Sequence, residues 1–360
     1  MAFLLLSACV DRIYFDIPPA KSLTVIEGFI SDDPGPYTVN VSNGLVLDMD
    51  STARNPLRQA KIKLYDDEGN VEAFTETSPG EYKTGGVIRG KVGHGYHISV
   101  ETPDGKIFES ESDVLSPVGE VERIRYEFEA RVIERYFGEV PADVFKIFVD
   151  SKAGTGNQNY VRWRYKGTYK VETYPQFHSI FLQTSAYADP LPCSGYIIVP
   201  ALGGGRLEKV GDCTCCLCWG NIFDPVPQLS DAQLITDNQF NDVKVAEVPI
   251  NSATFYEGFL IEIEQMSLSK TAFDFFKLIR TQKESASSLF QPPSGEIRGN
   301  LKPVNSSANV VGLFWATAVS KKSIFISRSD VPYPLPPIER RSDTCLTYPN
   351  SSTEKPDLWP

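Results

Sequence analysis

The sequence shows its structural class most clearly at residues 23–30, LTVIEGFI, which predict a β-strand. This strand opens a series of short segments in which apolar and polar residues alternate, and turn residues such as the DPGP of 33–36 separate them. Segments of this kind at a spacing of about 8–12 residues are typical of a small β-sandwich. We therefore predict a β-sandwich over residues 22–117, with further strands at 37–41, 60–65, 96–100 and 106–109.

A second and larger β-rich region is predicted to follow over residues 118–338. Residues 144–149, VFKIFV, indicate a buried strand, and residues 259–264 indicate another. In residues 161–166, VRWRYK, aromatic and basic side chains occupy opposite faces, as in a half-buried antiparallel strand. A groove in which stacking and positive charge bind nucleic acid or sugar is the alternative interpretation of these six residues.

One segment departs from the β pattern and predicts an α-helix over residues 270–284, with Ser269 as its N-cap. Its apolar residues recur at intervals of three and four and form one stripe, namely Ala272, Phe275, Phe276 and Ile279. A core helix packed against a sheet explains this stripe without a cofactor. The predicted fold is therefore mainly β, with a sandwich, a larger β-rich domain and one packed helix.

The cysteines indicate an oxidising compartment. Apart from Cys9 there are six, an even number that fits three disulfides whose pairing stays open: Cys193, Cys213, Cys215, Cys216, Cys218 and Cys345. The cluster at 213–218 also contains two C-x2-C spacings, so a metal site is an alternative. Four thiolates so close together cannot easily surround one tetrahedral zinc ion, and redox chemistry would require a βαβ context.

The first residues, Leu6-Ser7-Ala8-Cys9, have the form of a bacterial lipobox, in which the cysteine becomes an acylated N-terminus. The segment before it lacks Lys and Arg and is short for a signal peptide, so residues 1–8 are interpreted as the remnant of a longer one. A frayed apolar terminus is the alternative. Residues 9–21 would then be a lipidated tether. At the other end, Cys345 and Trp359 suggest that a tail of residues 339–360 is held by a disulfide.

Composition excludes several classes of partner. The chain has 360 residues, enough for two domains with their own cores. A net charge of −11 argues against nucleic acid and against docking on anionic lipid through a basic patch. No stretch after Cys9 approaches the roughly 20 apolar residues needed to span a bilayer. Membrane association is therefore expected to come from the lipid or from a partner protein.

Residues with catalytic potential are few. Of the histidines His94, His97 and His178, the first two are expected on opposite faces of a strand, which disfavours a shared metal. No G-x-S-x-G motif occurs, and the glycines at 203–205 lack the context of a phosphate-binding loop. We predict no catalytic residue, no metal, no cofactor and no enzymatic activity. Paired carboxylates for glycoside hydrolysis stay open, because acidic residues are plentiful and no pair stands out.

Several segments resemble known families. Residues 95–100, GYHISV, resemble the closing strand of carboxypeptidase-regulatory-like, immunoglobulin-type domains, which makes the first sandwich an expected immunoglobulin-like fold. The chain is also similar to an uncharacterised family of Bacteroidetes lipoproteins, at Cys218-Trp219, at Gly299-Asn300 and at segments 267–270, 288–290, 311–314 and 355–359. That resemblance implies an outer-membrane lipoprotein, often encoded beside a TonB-dependent receptor, with no established catalytic residue. It also makes Asp50-Ser51-Thr52 a candidate O-glycosylation motif in an exposed loop.

We therefore expect a protein anchored at Cys9 in the outer membrane, on either its periplasmic or its cell-surface face. Its first expected function is that of a non-enzymatic accessory or ligand-binding partner of a TonB-dependent receptor barrel in an uptake complex. The ligand, a small molecule, glycan or peptide, is not identified. A surface hydrolase of glycans or peptides is the second hypothesis, and a structural or adhesive surface protein is the third.

Overall fold

The structure is a computed structural model that describes residues 23–44, 55–136, 138–154, 159–182, 185–201, 204–230, 235–285 and 299–360. These residues form mainly β-strands in several sheets, together with one α-helix, which confirms the predicted fold class. The first ten strands are β1 (Leu23–Ser31), β2 (Thr38–Asn43), β3 (Asn55–Pro56), β4 (Lys61–Asp66), β5 (Val71–Ala73), β6 (Thr75–Ser78), β7 (Glu81–Lys83), β8 (Gly95–Glu101), β9 (Ile107–Ser110) and β10 (Asp113–Val114).

The next fourteen strands are β11 (Val121–Glu129), β12 (Val132–Arg135), β13 (Gly138–Pro141), β14 (Val144–Lys152), β15 (Val161–Glu172), β16 (Ser179–Leu182), β17 (Ser185–Ala188), β18 (Tyr196–Ala201), β19 (Gly204–Lys209), β20 (Leu217–Phe223), β21 (Gln228–Leu229), β22 (Ile235–Thr236), β23 (Gln239–Pro249) and β24 (Gly258–Ser267). The chain then forms α1 (Lys270–Ser285), β25 (Leu301–Pro303), β26 (Asn309–Thr317), β27 (Val319–Ser327) and β28 (Ser351–Ser352).

The first sandwich consists of two sheets around one apolar core. One sheet has the strand order β6-β7-β2-β1-β26, with β3 paired to β2. The other has the order β25-β9-β8-β4-β5, with β10 paired to β8. Along β1, buried residues alternate with less buried ones, as expected of a strand with one face on a core. Both sheets contribute to that core, among others through Ile26, Val39, Leu64, Ile98 and Phe108.

Two strands of this first sandwich come from the last quarter of the chain. β26 pairs in parallel with β1 along its whole length, and β25 pairs antiparallel with β9. Both lie inside the range 118–338 that sequence order assigned to the second region. They join the first sandwich because their apolar residues Leu301, Phe314 and Ala316 are buried in its core. A strand takes the partner that buries its apolar face, whatever its place in the chain.

Close backbone approach and one buried amide hold β26 in place. Gly312 has a φ of 142°, and a Cβ atom there would lie 1.7 Å from the backbone oxygen of Ile26. A Cβ atom at Gly299 would lie 1.4 Å from the backbone oxygen of Gly312. The buried Asn300 side chain donates to the Phe314 oxygen at 2.7 Å and accepts from the Phe314 nitrogen at 3.0 Å. Only glycine therefore fits at positions 312 and 299.

The second sandwich places a sheet of order β11-β14-β23-β22 against a sheet of order β27-β24-β15-β20-β28, with β21 paired to β15. Its core is rich in aromatic residues, among them Phe145, Trp163, Phe240, Phe255 and Phe259. The polar side chain of Gln265 also lies at this core. The fully buried Gln265 accepts from the Trp163 indole N–H at 2.8 Å and donates to the backbone oxygens of Gly119 and Lys152 at 3.0 and 2.8 Å. This amide ties β24 to one end of the facing pair, where β11 begins and β14 ends.

The helix α1 packs where the two sandwiches meet. Ser269 is its N-cap, since the Ser269 hydroxyl accepts from the Ala272 nitrogen at 3.2 Å. The predicted apolar stripe faces a cluster formed by β26 and β24, in which the ring centroids of Phe276 and Trp315 lie 5.1 Å apart. The helix thus covers the outer face of β26, whose other face lies on the core of the first sandwich.

Two of the passages of the chain between the sandwiches lie side by side, and we call them the two crossings. The chain passes from β10 to β11, and later from β26 to β27 through the single residue Ala318. The two crossings run in parallel and are bridged at Ser116 and Thr317. The Ser267 hydroxyl, at the end of β24, donates to the Ser116 oxygen at 2.6 Å and accepts from the Ala318 nitrogen at 2.9 Å. The second sandwich therefore bonds to both crossings.

The last residues of the chain return to the second sandwich. β28 pairs with β20, and Cys345 forms a disulfide with Cys218 of β20. The Trp359 side chain is buried against Trp219 and Leu260. In the part of the chain that the structure describes, no helix combines the length and the apolar character that crossing a bilayer demands.

Candidate functional site

The connection between β15 and β20 is enlarged into a disulfide-bonded unit. The two strands pair antiparallel, with Glu172 at the end of β15 opposite Leu217 at the start of β20, so a short turn could join them. Instead residues 173–216 intervene, and they form the hairpins β16–β17 and β18–β19. We call residues 173–216 the stapled head, because two disulfides close it: Cys193–Cys215 and Cys213–Cys216.

All six cysteines after Cys9 form disulfides, as the even count predicted. The third bond joins Cys218 to Cys345 across 127 residues. Each pair has a Cα–Cα distance of 5.6 to 5.7 Å, within the usual range for a disulfide. The C-x2-C spacing from Cys213 to Cys216 thus closes a small disulfide loop.

Three two-stranded hairpins expose apolar side chains to solvent. Phe181 of β16 is 75% exposed, Tyr187 of β17 is 53% exposed, and Val132 of β12 is 61% exposed. Ile197 of β18 is 45% exposed, and residues 179–188 contain no charged side chain. We call β12–β13, β16–β17 and β18–β19 the apolar hairpins. Grouped apolar residues of this kind at a surface mark a site of interaction with another molecule.

The apolar hairpins project from one end of the second sandwich. The hairpin β12–β13 connects the end of β11 to the start of β14, and Val144 at that start pairs with Pro249 at the end of β23. Phe255, between β23 and β24, has its ring centroid 5.8 Å from that of Phe259 in β24. Phe259 pairs with Tyr169, near the end of β15 where the stapled head begins. Both sheets therefore place their hairpins at this end, which we call the hairpin end.

The opposite end of the second sandwich joins the first sandwich. β11 and β27 both begin there, directly after the two crossings. Within the first sandwich, Ser31 lies beside a crossing because it pairs with Thr317, whereas Leu23 pairs with Asn309 at the other end of β26. The first described residue, Leu23, therefore lies on the side of the first sandwich that is remote from the second. The N-terminal side and the hairpin end are at opposite ends of the strand layers.

Salt bridges fix the base of the hairpin β12–β13. Arg131 donates from its guanidinium to both carboxylate oxygens of Glu247 in β23, at 2.6 and 2.9 Å, and also pairs with Glu129. The backbone nitrogen of Arg131 donates to the Asp143 carboxylate at 2.9 Å. The hydrogen bonds from Arg131 lower the pKa of Glu247 to about 2. This hairpin is therefore held at its base while its tip projects.

A cleft with four tyrosines lies at the base of the stapled head. The end of β15, the loop between β23 and β24, and the chain around residues 338–348 form its walls. Its volume is about 140 Å³. We call it the tyrosine cleft, after its half-buried aromatic residues Tyr169, Tyr174, Tyr256 and Tyr348.

Glu172 organises the hydrogen bonds of the tyrosine cleft. One of its carboxylate oxygens accepts from the Tyr256 hydroxyl at 2.7 Å, and the other accepts from the Tyr174 hydroxyl at 3.3 Å. The hydrogen bond to Glu172 raises the pKa of Tyr256 to about 12, so this phenol keeps its proton at neutral pH. A group with such a pKa is poorly matched to proton transfer at neutral pH.

The charges that line the tyrosine cleft balance. Its walls contain the cations Lys170 and Arg340 and the anions Glu172 and Glu339. The Lys170 ammonium pairs with Glu257 and lies 5.9 Å from the centroid of the Tyr256 ring. The Arg340 guanidinium lies 5.8 Å from the centroid of the Tyr174 ring. The cleft thus has no net charge of its own to select an ionic ligand.

The other residues singled out from the sequence lie apart from this cleft. Cys9 and Asp50-Ser51-Thr52 fall outside the described residues. His94 bonds to the Asp67 carboxylate at 2.9 Å, and the His97 ring stacks on Tyr65 with centroids 4.8 Å apart. His178 bonds to the Asp189 backbone oxygen at 2.8 Å. Across the described ranges, no group of three or more His, Cys, Asp or Glu residues is arranged to hold a metal ion.

The sequence by itself does not reveal the tyrosine cleft. Tyr169 and Tyr174 lie near one another in the chain, but Tyr256 and Tyr348 come from distant segments. The only signal in the sequence is the count of 16 tyrosines, which does not say which of them meet. Their assembly depends on the return of the tail, through the Cys218–Cys345 disulfide, to the end of β15.

Residues 10–323 match the family described as "Domain of unknown function (DUF4249)", and the chain belongs to that family. No curated protein and no solved structure matches the chain.

Proposed function

We propose that this protein is a lipid-anchored, non-enzymatic accessory protein of an outer-membrane uptake receptor of the TonB-dependent type. It is attached to the membrane through Cys9 and contacts the receptor barrel through its apolar hairpins. The observation that favours this function most is the gathering of three apolar hairpins at one end of the second sandwich.

The position of the hairpin end relative to the N-terminal side supports a partner protein over the anchoring bilayer as the contact. A lipid at Cys9 would enter the membrane on the side of Leu23, and the hairpin end lies at the other end of the strand layers. The two sandwiches would then separate the hairpins from the lipid anchor, so that the hairpins contact the part of the receptor that projects from the bilayer. Two-stranded hairpins with free edges also suit pairing with another β-structure.

The chemistry of the hairpins fits a protein surface. Phe181 and Tyr187 are aromatic residues of the kind enriched at the centres of interfaces, and residues 179–188 bring no charge that binding would have to desolvate. The disulfides that close the stapled head limit the conformations of its hairpins before binding, which lowers the entropic cost of association.

The test is co-purification of the full-length, lipidated protein from its host in mild detergent. We expect a large β-barrel protein to accompany it. With the double variant Phe181→Ser/Tyr187→Ser, the amount of co-purified barrel should fall at least about tenfold relative to the unchanged protein, because aromatic residues contribute much of the binding energy at interfaces. The control Val87→Ser changes a side chain of the first sandwich that is 83% exposed, and it should retain the barrel fully.

Three outcomes would contradict the proposal. One is recovery of the protein alone under several detergents, and another is undiminished barrel recovery with the hairpin double variant. The third is failure of labelled palmitate to incorporate when the complete gene is expressed, with Cys9→Ser as the negative control, since the anchor would then be absent.

A further inference from the structure

We infer that the tyrosine cleft is a binding site for a neutral saccharide unit. This inference concerns a site away from the apolar hairpin tips and does not depend on the receptor contact proposed above. It rests on three features of the cleft: its aromatic walls, its carboxylate acceptor and its balance of charge.

The aromatic walls suit the faces of a sugar ring. Tyr169, Tyr174, Tyr256 and Tyr348 are half-buried, and each combines an apolar ring with a polar hydroxyl. A pyranose likewise combines faces made of C–H groups with a rim of hydroxyls. Ring faces can therefore pack on C–H faces while hydroxyls meet hydroxyls.

Glu172 supplies acceptors for those hydroxyls. An ionised carboxylate offers about four acceptor positions, and the hydrogen bonds from Tyr174 and Tyr256 use two of them. The remaining positions can accept from adjacent hydroxyls of a ligand. The two tyrosine bonds hold the carboxylate in position, so a ligand would meet an acceptor that is already oriented.

The charge of the walls argues for a neutral ligand. An anionic ligand would meet Glu172 and Glu339, and a cationic ligand would meet Lys170 and Arg340. Neither sign is favoured, whereas a polyhydroxylated neutral molecule can use donors and acceptors of both kinds.

The size of the cleft fits one ring. Its volume of about 140 Å³ corresponds to roughly ten water positions, since one water needs about 10–15 Å³ on the same measure. The cleft is open to solvent, so neighbouring units of a longer glycan can extend from it. With so small a contact we expect a dissociation constant of about 1 mM for a single unit.

The experiment is a titration of the purified full-length protein with methyl glycosides of glucose, galactose, mannose and N-acetylglucosamine. Binding is monitored by saturation-transfer NMR. Glucuronic acid and choline serve as the anionic and cationic comparators. We expect at least one neutral glycoside to bind, and Glu172→Gln to weaken it about tenfold through loss of a charged acceptor. Tyr174→Ala should weaken it by a similar factor, as it removes an aromatic wall and a bond to Glu172.

Tyr65→Ala is the matched control, since Tyr65 is a partly exposed tyrosine of the first sandwich, stacked on His97. It should bind as the unchanged protein does, and far-ultraviolet circular dichroism of each variant separates lost binding from lost folding. The inference is overturned if none of the four neutral glycosides binds, if a charged comparator binds more tightly, or if folded Glu172→Gln and Tyr174→Ala variants bind undiminished. Loss of the barrel in Phe181→Ser/Tyr187→Ser would leave these results unchanged, so the two proposals fail separately.

Discussion

Removal of the Cys218–Cys345 disulfide should destabilise the protein far more than removal of the Cys213–Cys216 disulfide. The first bond joins residues 127 positions apart, and the second joins residues 3 positions apart. A disulfide stabilises chiefly by restricting the unfolded chain, and this effect grows with the logarithm of the loop length. That relation gives about 5 kcal/mol for the long loop and about 1.5 kcal/mol for the short one.

The long loop matters to both sandwiches. Between Cys218 and Cys345 the chain forms β21 to β27 and α1, including the two strands that complete the first sandwich. Restricting this loop in the unfolded state therefore favours the folded state of the whole molecule. The short loop lies entirely within the stapled head, and its loss leaves the Cys193–Cys215 bond in place.

The assay is equilibrium urea unfolding of Cys218→Ala/Cys345→Ala and Cys213→Ala/Cys216→Ala, followed by tryptophan fluorescence. Cys218 and Cys345 are fully buried, so lost packing adds roughly 1 kcal/mol to the expected cost for the long-loop variant. We expect the two variants to differ by more than about 3 kcal/mol in free energy of unfolding. A difference below about 2 kcal/mol, or a larger loss from the short loop, would refute the loop-entropy reasoning.

Three further predictions follow from the cores and the hairpin base. Gly312→Ala should lower the free energy of unfolding, measured by thermal unfolding, by more than about 3 kcal/mol, because a Cβ atom would lie 1.7 Å from the Ile26 oxygen. The control Gly69→Ala has a φ of 89° but open space around the new Cβ atom, and it should cost about 1 kcal/mol. Equal losses of stability in the two variants would show that the backbone moves to remove the clash at residue 312. Gln265→Leu leaves the Trp163 N–H and two backbone oxygens without their partner, so it should lower the free energy of unfolding, measured in urea, by about 2–4 kcal/mol. An unchanged free energy of unfolding would show that these hydrogen bonds do not stabilise the fold. The pKa of Glu247, lowered from 4.5 to about 2, means that its pairing with Arg131 stabilises fully above pH 4.5 and is lost as pH falls towards 2. Glu247→Gln should remove about 1 kcal/mol at neutral pH and little near pH 2, and a loss that persists in acid would exclude the ion pair as its cause.

Local patterns predicted the helix and the strands β1, β2, β4, β8, β9, β14, β15 and β24, but not the long strand β23. The stripe of Ala272, Phe275 and Phe276 predicted the helix within one residue of its end at Ser285, and Ser269 is the cap that its position indicated. The period of a side-chain pattern is set by the geometry of a helix or a strand, so it is visible in neighbouring residues. The even number of cysteines after Cys9 likewise indicated disulfides without regard to structure.

Partners distant in the chain could not be predicted in the same way. The sequence of residues 309–317 does not identify β1 as the strand with which they pair. The spacing of the cysteines likewise does not identify Cys345 as the partner of Cys218. The entropy of closing a loop rises only slowly with its length, so remote segments pair almost as readily as near ones. The strand pairing that forms is the one that buries complementary apolar faces.

The sequence by itself determined that the described part of this protein is built of sheets with one core helix, and that its cysteines form disulfides. Only the tertiary structure decided that β25 and β26 complete the first sandwich, that three apolar hairpins share one end, and that four tyrosines surround Glu172. The physical reason is that alternation and charge are properties of short stretches, whereas a cleft or an interface is a property of surfaces brought together by burial.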